Sequence, residues 1–196
     1  RLLCHSECVT SVAVSGCGRW LISGSLDASA MLWHSEGGLV SLAPYPTHVL
    51  RGHSDAVLCV GLSSVMRLAA SGSRDGTVAL YTLRDGKRFR VLREPNGASV
   101  EQLLLSDYGY ILIAGSAGSR LHLFTINGLA VWSWIGSDAG LSAMALSPCG
   151  GGLVCGFDDG SLHLWRLFDR QPLVVYDSAP APIVTIAVTE HHLLVG

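Results

Sequence analysis

The stretch VLCVGLSSVMRLAASGSRDGTVALYTLRDGKRFRVL, Val57 to Leu92, holds four short apolar runs separated by three turn signals. Val57 to Leu62 alternates loosely and predicts an extended inner segment. Ser63, Ser64 and Arg67 make a polar turn, and Leu68 to Ser71 is the second run. Gly72-Ser73-Arg74-Asp75-Gly76 reads as a hairpin turn, because Asp-Gly supplies the positive φ that tight turns need. Thr77 to Leu83 is rich in residues that favour strand. Arg84-Asp85-Gly86 turns the chain again, and Lys87 to Leu92 is the outer run. The segment therefore predicts a four-stranded antiparallel meander, and no part of the chain carries a sustained helical period.

The pattern recurs along the chain. VTSVAVS (Val9 to Ser15), VLCVGLS (Val57 to Ser63), VEQLLLS (Val100 to Ser106), LSAMALS (Leu141 to Ser147) and IVTIAVT (Ile183 to Thr189) end alike. Each precedes a second run that ends in a glycine: Gly24, Gly72, Gly115, Gly156 and Gly196, spaced 48, 43, 41 and 40 residues apart. An aromatic stands nine residues past the first four of these, at Trp33, Tyr81, Phe124 and Trp165. A period near forty built from short runs and turns is the mark of a β-propeller blade. The expected fold is all-β: a propeller fragment of four complete four-stranded blades and the start of a fifth. The repeats fall at about 1–51, 52–93, 94–134, 135–176 and 177–196. Both ends interrupt a repeat, so the expectation is part of a longer ring, commonly one of seven blades.

Composition limits function. A formal charge of −2 gives no footprint for nucleic acid. Only 14% of residues are charged and mean hydropathy is +0.41, yet Gly and Ser break every apolar run well before the length of a membrane helix. Apolar content in short pieces suits strands buried on both faces. The 6 cysteines contain no CxxC pair, which fits a reducing compartment. Cys4, His5 and Cys8 lack a second ligand cluster at zinc-site spacing. No Walker loop, nucleophile elbow or paired-carboxylate constellation occurs, so neither catalysis nor a cofactor is expected.

Gly52-His53 before an inner strand, with Trp33 and Trp165 closing third strands, resembles the WD-repeat family. The family's following Asp is replaced by His34, Thr82, Thr125 and Arg166. The resemblance implies a hydrogen-bonded chain through each blade: His5, Ser23, Asp27 and Trp33 in the first, His53, Ser71, Asp75 and Tyr81 in the second. The third and fourth lack the histidine, hold Ala114 and Cys155 at the serine position, and are expected to rely on apolar packing. More closely, ISGSLDASAMLWH (Ile22 to His34), the run from Arg51 to Val78 and INGLAVWSW (Ile126 to Trp134) resemble the C-terminal WD-repeat region of BEACH-domain proteins, the neurobeachin and lysosomal trafficking regulator group. That group carries an insertion between the third and fourth strands of the blade equivalent to the first here, which His34 to Thr47 fills.

The likeness implies a non-catalytic protein-interaction scaffold acting in vesicle trafficking, autophagy or receptor sorting. It would sit on the cytosolic side of membranes, with an adjacent BEACH domain as one partner. Glu7, Asp55, Ser99 and Gly140, just before inner strands, are expected to rim one face together with Ser25, Leu26, Ser73 and Arg74 from the hairpin turns. Arg84, Lys87, Arg88, Arg90 and Arg93 crowd the second repeat's outer strand. They offer an edge guard against sheet pairing or a peripheral contact with acidic lipid, centred on Arg88 and Arg90. His122 and His163 stand at equivalent places in adjacent repeats, where a shared ligand is conceivable. Two other function classes use the same architecture: a substrate receptor or signalling-complex subunit, and an enzyme over the central channel. The enzyme needs convergent acid, base or metal groups, whereas the His, Asp and Glu here fall at structural turns.

Overall fold

The computed structural model describes residues 4–38, 42–116, 120–135, 140–148, 150–169, 171–176, 182–189 and 192–196. These form strands and no helix. The first sheet runs in chain order through β1 (Val9–Val14), β2 (Trp20–Ser25), β3 (Ala30–His34) and β4 (His48–Leu50). The second contains β5 (Val57–Ser63), β6 (Leu68–Ser73), β7 (Thr77–Thr82) and β8 (Arg88–Arg93). The third contains β9 (Val100–Leu105), β10 (Tyr110–Gly115), β11 (Arg120–Thr125) and β12 (Ala130–Ile135). The fourth contains β13 (Leu141–Leu146), β14 (Gly152–Phe157), β15 (Leu162–Arg166) and β16 (Gln171–Tyr176). A fifth, partial sheet pairs β17 (Ile186–Val188) with β18 (Leu193–Val195). All pairings are antiparallel, so the chain is four blades and part of a fifth.

The sequence explains the meanders locally. At the Asp75-Gly76 turn Gly76 adopts φ +76°, the left-handed backbone that glycine tolerates best. Ala28 holds the same place in the first blade at φ 61° and carries the strain of a β-carbon there. The β3–β4 connection, 35–47, absorbs the extra length of the first repeat. β6 runs on to Ser73, two residues past the expected end, because Ser73 pairs across the sheet with Val57.

The core lies between blades rather than within any one of them. Ile22, Leu32, Leu50, Val57 and Tyr81 fill the first interface, and Cys59, Leu80, Leu92, Val100 and Ile113 the second. Leu112, Leu121, Leu153, Phe157 and Trp165 fill the third. Every residue of β6 is buried, as strands covered on both faces require. Each fully buried Leu or Ile contributes about 1.5–3 kcal/mol, so a blade without its neighbour loses most of its stabilisation.

Two of the repeat-ending glycines, Gly24 and Gly72, have a clear packing role. A β-carbon on Gly24 would lie 2.7 Å from Val57, and one on Gly72 2.7 Å from Val100. Each glycine thus seats the first apolar residue of the next inner strand, at a distance no β-carbon allows.

Candidate interaction surface

In the first blade a hydrogen-bond chain crosses from core to turn. Trp33 Nε1 donates to Ser23 Oγ at 3.2 Å, and Ser23 Oγ lies 2.9 Å from His5 Nε2. His5 Nδ1 lies 3.0 Å from Asp27 Oδ2, which also accepts the Ser6 N–H at 3.0 Å. Asp27 Oδ1 accepts the Ser29 hydroxyl at 2.5 Å and the Ser29 N–H at 2.9 Å. Burial acts to raise the Asp27 carboxyl, but the Ser29, His5 and Ser6 hydrogen bonds together outweigh it and hold it at about 2. An ionised Asp27 places the His5 proton on Nδ1, leaving Nε2 to accept from Ser23.

The second blade repeats the device with one break. His53 Nε2 lies 2.8 Å from Ser71 Oγ, and Nδ1 lies 3.2 Å from Asp75 Oδ2 and 3.0 Å from Thr77 Oγ1. Burial acts to raise Asp75, and bonds from Thr77 and Ser54 with the His53 charge hold it at about 2. The Tyr81 hydroxyl is buried and makes no hydrogen bond among the described residues, so the chain stops at Ser71. In both blades the ring nitrogens of the histidine are engaged, which leaves neither as a free base.

The third and fourth blades are held differently. Asn96 stands where the histidine would be. Beside it the buried Glu94 accepts the Asn96 and Ala98 N–H groups at 2.7 and 2.8 Å. His122 Nε2 lies 3.1 Å from Glu94 Oε1, an ion-pair distance without hydrogen-bond alignment. Burial works to raise the Glu94 carboxyl, and the Ala98 and Asn96 hydrogen bonds with the His122 charge hold it below its usual range. In the fourth blade Trp165 packs against Trp132 at 5.2 Å and Trp134 at 5.3 Å, while Phe157 meets Trp134 at 5.7 Å. Trp165 Nε1 and His163 Nδ1 are buried without hydrogen-bond partners among the described residues. His163 lies against Phe157 at 4.7 Å and His122 against Glu94, so the two histidines do not share a site. No cluster of three potential metal ligands occurs among the described residues. Gly118 and Cys149 lie outside them.

The hairpin turns and the segments before the inner strands meet at one end of the blades. Glu7 and Asp55 are exposed there, and Arg74 Nη1 lies 3.8 Å from Asp55 Oδ1. Leu26 is also exposed. Ser73 departs from the expected placement: it is fully buried, and its hydroxyl donates to the Asp55 carbonyl at 3.0 Å. Ser25 is buried likewise and donates to the Glu7 carbonyl at 3.3 Å. These serines fasten the face from beneath and present nothing to a partner. Ser99 bonds Ser116 at 2.8 Å, and the Gly140 carbonyl accepts the Asp158 N–H.

On β8, Arg88, Phe89, Arg90 and Val91 are exposed and Leu92 is buried. A register shift between Leu80 and Tyr81 leaves Phe89 as the extra residue and turns the flanking arginines to opposite sides of the sheet. Arg88 Nη1 donates to the Gly52 carbonyl at 3.3 Å, while Arg90 lies against Gly128 of the third blade. The two form no single patch. Glu94 was missed by sequence reasoning, although a glutamate ahead of Pro95-Asn96-Gly97 is a signal for a carboxylate that collects turn N–H groups.

The comparisons with known proteins fit this architecture. The propeller domain of Cps50 (Swd1) from Myceliophteria thermophila superposes with a TM-score of 0.79 at 24% identity, over 98% of this chain and 62% of that one. BEACH domain-containing protein B of Arabidopsis thaliana is 31% identical over 203 residues, 95% of this chain. A putative neurobeachin homolog of Caenorhabditis elegans is 23% identical over 96% of the chain. The chain spans 8% of the length of each of these two relatives. A guanine nucleotide-binding protein β subunit of Arabidopsis thaliana is 31% identical over 87% of this chain and 46% of its own length. The family described as the neurobeachin β-propeller domain matches residues 2–196. The chain, with its blades, turn networks and glycine seats, belongs to the neurobeachin β-propeller family.

Proposed function

We propose that the chain is a non-catalytic protein-interaction scaffold within a BEACH-type protein of membrane trafficking. One observation carries this reading. The turn that bears Arg74 is fixed by the partly buried Asp75 network, and the segment that bears Asp55 is fixed by Ser73. Charged tips held on a rigid frame lose little entropy on binding, which favours recognition. Glu7, Asp55 and Arg74 form the partner face. An adjacent BEACH domain and other trafficking proteins on the cytosolic side of membranes are the expected partners. The exposed arginines of β8 add electrostatic attraction to acidic lipid. The likeness to a G-protein β subunit favours, as a second reading, a subunit of a signalling complex.

Quantitative proximity labelling of the wild-type protein and a Glu7→Lys/Asp55→Lys/Arg74→Glu variant tests the scaffold reading. The expected result is about a tenfold loss of the proteins labelled by wild type, at unchanged thermal stability. An unchanged set of labelled proteins overturns this assignment of the face.

A further inference from the structure

The opposite end of the first two blades carries a recess of 500 Å³, lined by residues from four separate turns and strand ends. Arg19 comes from the β1–β2 turn, Arg67 from the β5–β6 turn and Arg84 from the β7–β8 turn. All three are exposed, and none makes an ion pair among the described residues. No carboxylate lines the recess, and Asp85, next to Arg84, is engaged by Thr82 and by Lys87 at 3.7 Å. Three arginines therefore line one recess with no carboxylate among its lining residues. The wall between them is apolar and aromatic: Leu83 is buried, and the Trp20 and His34 rings lie 4.2 Å apart, tilted at 43°. Arg67 is held at φ 55°, a left-handed backbone that a side-chain-bearing residue rarely adopts. Glycine would hold that backbone without strain.

We propose that this recess is a binding site for an acidic peptide segment that places an apolar side chain between carboxylates. The carboxylates meet the arginine forks, which match them in planar geometry. The apolar side chain enters the groove over Trp20 and Leu83. A flat acidic membrane satisfies only the first half of this chemistry, because the apolar wall is recessed between two blades. The site lies at the other end of the blades from Glu7, Asp55 and Arg74 and stands independently of them.

The test uses the chain with three fluorescein-labelled peptides: Glu-Glu-Leu-Phe-Glu-Glu, its Lys-for-Glu counterpart, and Glu-Glu-Ser-Ser-Glu-Glu. Fluorescence anisotropy is expected to show binding of the first alone, weakened about tenfold by Arg67→Gly/Arg84→Ser. Arg67→Gly removes a cation while relieving the turn, so the variant keeps its fold. Glu7→Ala/Asp55→Ala, on the other face, is expected to leave the affinity unchanged. Cys17 is exposed and lines the recess, and its thiol is held below the usual value by the Ser15 hydrogen bond and the Arg19 backbone. The acidic peptide is expected to slow its alkylation by iodoacetamide while Cys8, also exposed, reacts as before. Four results overturn the proposal: no binding of the acidic apolar peptide, equal binding of the basic one, unchanged affinity in the arginine variant, or arginine-dependent binding of phosphatidylserine vesicles in place of peptide.

Discussion

The first two blades and the next two solve one problem with different chemistry. Blades one and two tie turn to core with a histidine and an ionised aspartate. Blade three substitutes the Glu94–His122 pair, and blade four relies on packed rings around Trp165. Hydrogen bonds to a charge are directional and fix a turn in one conformation. Ring packing contributes burial without the same directionality, because dispersion sets distance rather than orientation. The polar networks of the first three blades are thus suited to presenting fixed surface residues, and the rings around Trp165 to holding the third and fourth blades together.

Trp165→Ala probes the aromatic half and carries the largest effect. It is expected to lower stability by about 4 kcal/mol in urea unfolding, because Trp132 and Trp134 lose their common partner. A cost below about 1 kcal/mol would break the contrast. Asp75→Ala removes the acceptor for His53, Ser54 and Thr77 and is expected to cost about 3 kcal/mol. The equivalent Asp159→Ala removes only a cap on Ser161 and is expected to cost under about 1 kcal/mol. Equal losses at the two positions would erase the distinction.

Acid sharpens it further. Asp27 and Asp75 are held at about 2 against an ordinary 3.8. A depressed folded value means the stabilisation is complete above about 3.8 and is lost as pH falls through about 2. Amide exchange, corrected for intrinsic rates, is therefore expected to accelerate in β2 and β6 before β14 as pH drops from 4 to 2. Simultaneous loss would place the acid sensitivity elsewhere.

Two small changes test the contrast by trying to cross it. Cys155→Ser restores a hydroxyl at the position of Ser23, in the cluster that holds the unpartnered Trp165 Nε1. It is expected to raise stability by about 1 kcal/mol, read from the urea midpoint. A decrease would mean that apolar packing outweighs the polar chain in that blade. Ala28→Gly relieves the left-handed turn of blade one and is expected to add about 0.5–1 kcal/mol. No gain in the thermal midpoint would show that the Asp27 network already absorbs the strain.

The blade pattern was legible because it is carried by local signals. His5, Ser23, Asp27 and Trp33 fall at fixed offsets around a turn, and Asp75-Gly76 names its own conformation. The failures involve geometry that no local pattern announces. Ser73 looks like a turn tip, yet its strand pairs two residues further than the composition suggests. Arg88 and Arg90 look like one basic stripe, and a single extra residue at Phe89 divides them. Glu94 finds His122 only when the third strand of its blade returns. Arg19, Arg67 and Arg84 belong to three turns of two repeats and line one recess only when two blades are laid together.

The seats at Gly24 and Gly72 also give the stack a direction. The first and second blades each offer a notch to the next blade, which fills it with an aliphatic knob, Val57 at Gly24 and Val100 at Gly72. A two-fold axis between blade faces would set notch against notch or knob against knob, and neither fills space. Any association built on these faces is heterologous, and copies joined that way grow in a line instead of closing as a symmetric pair.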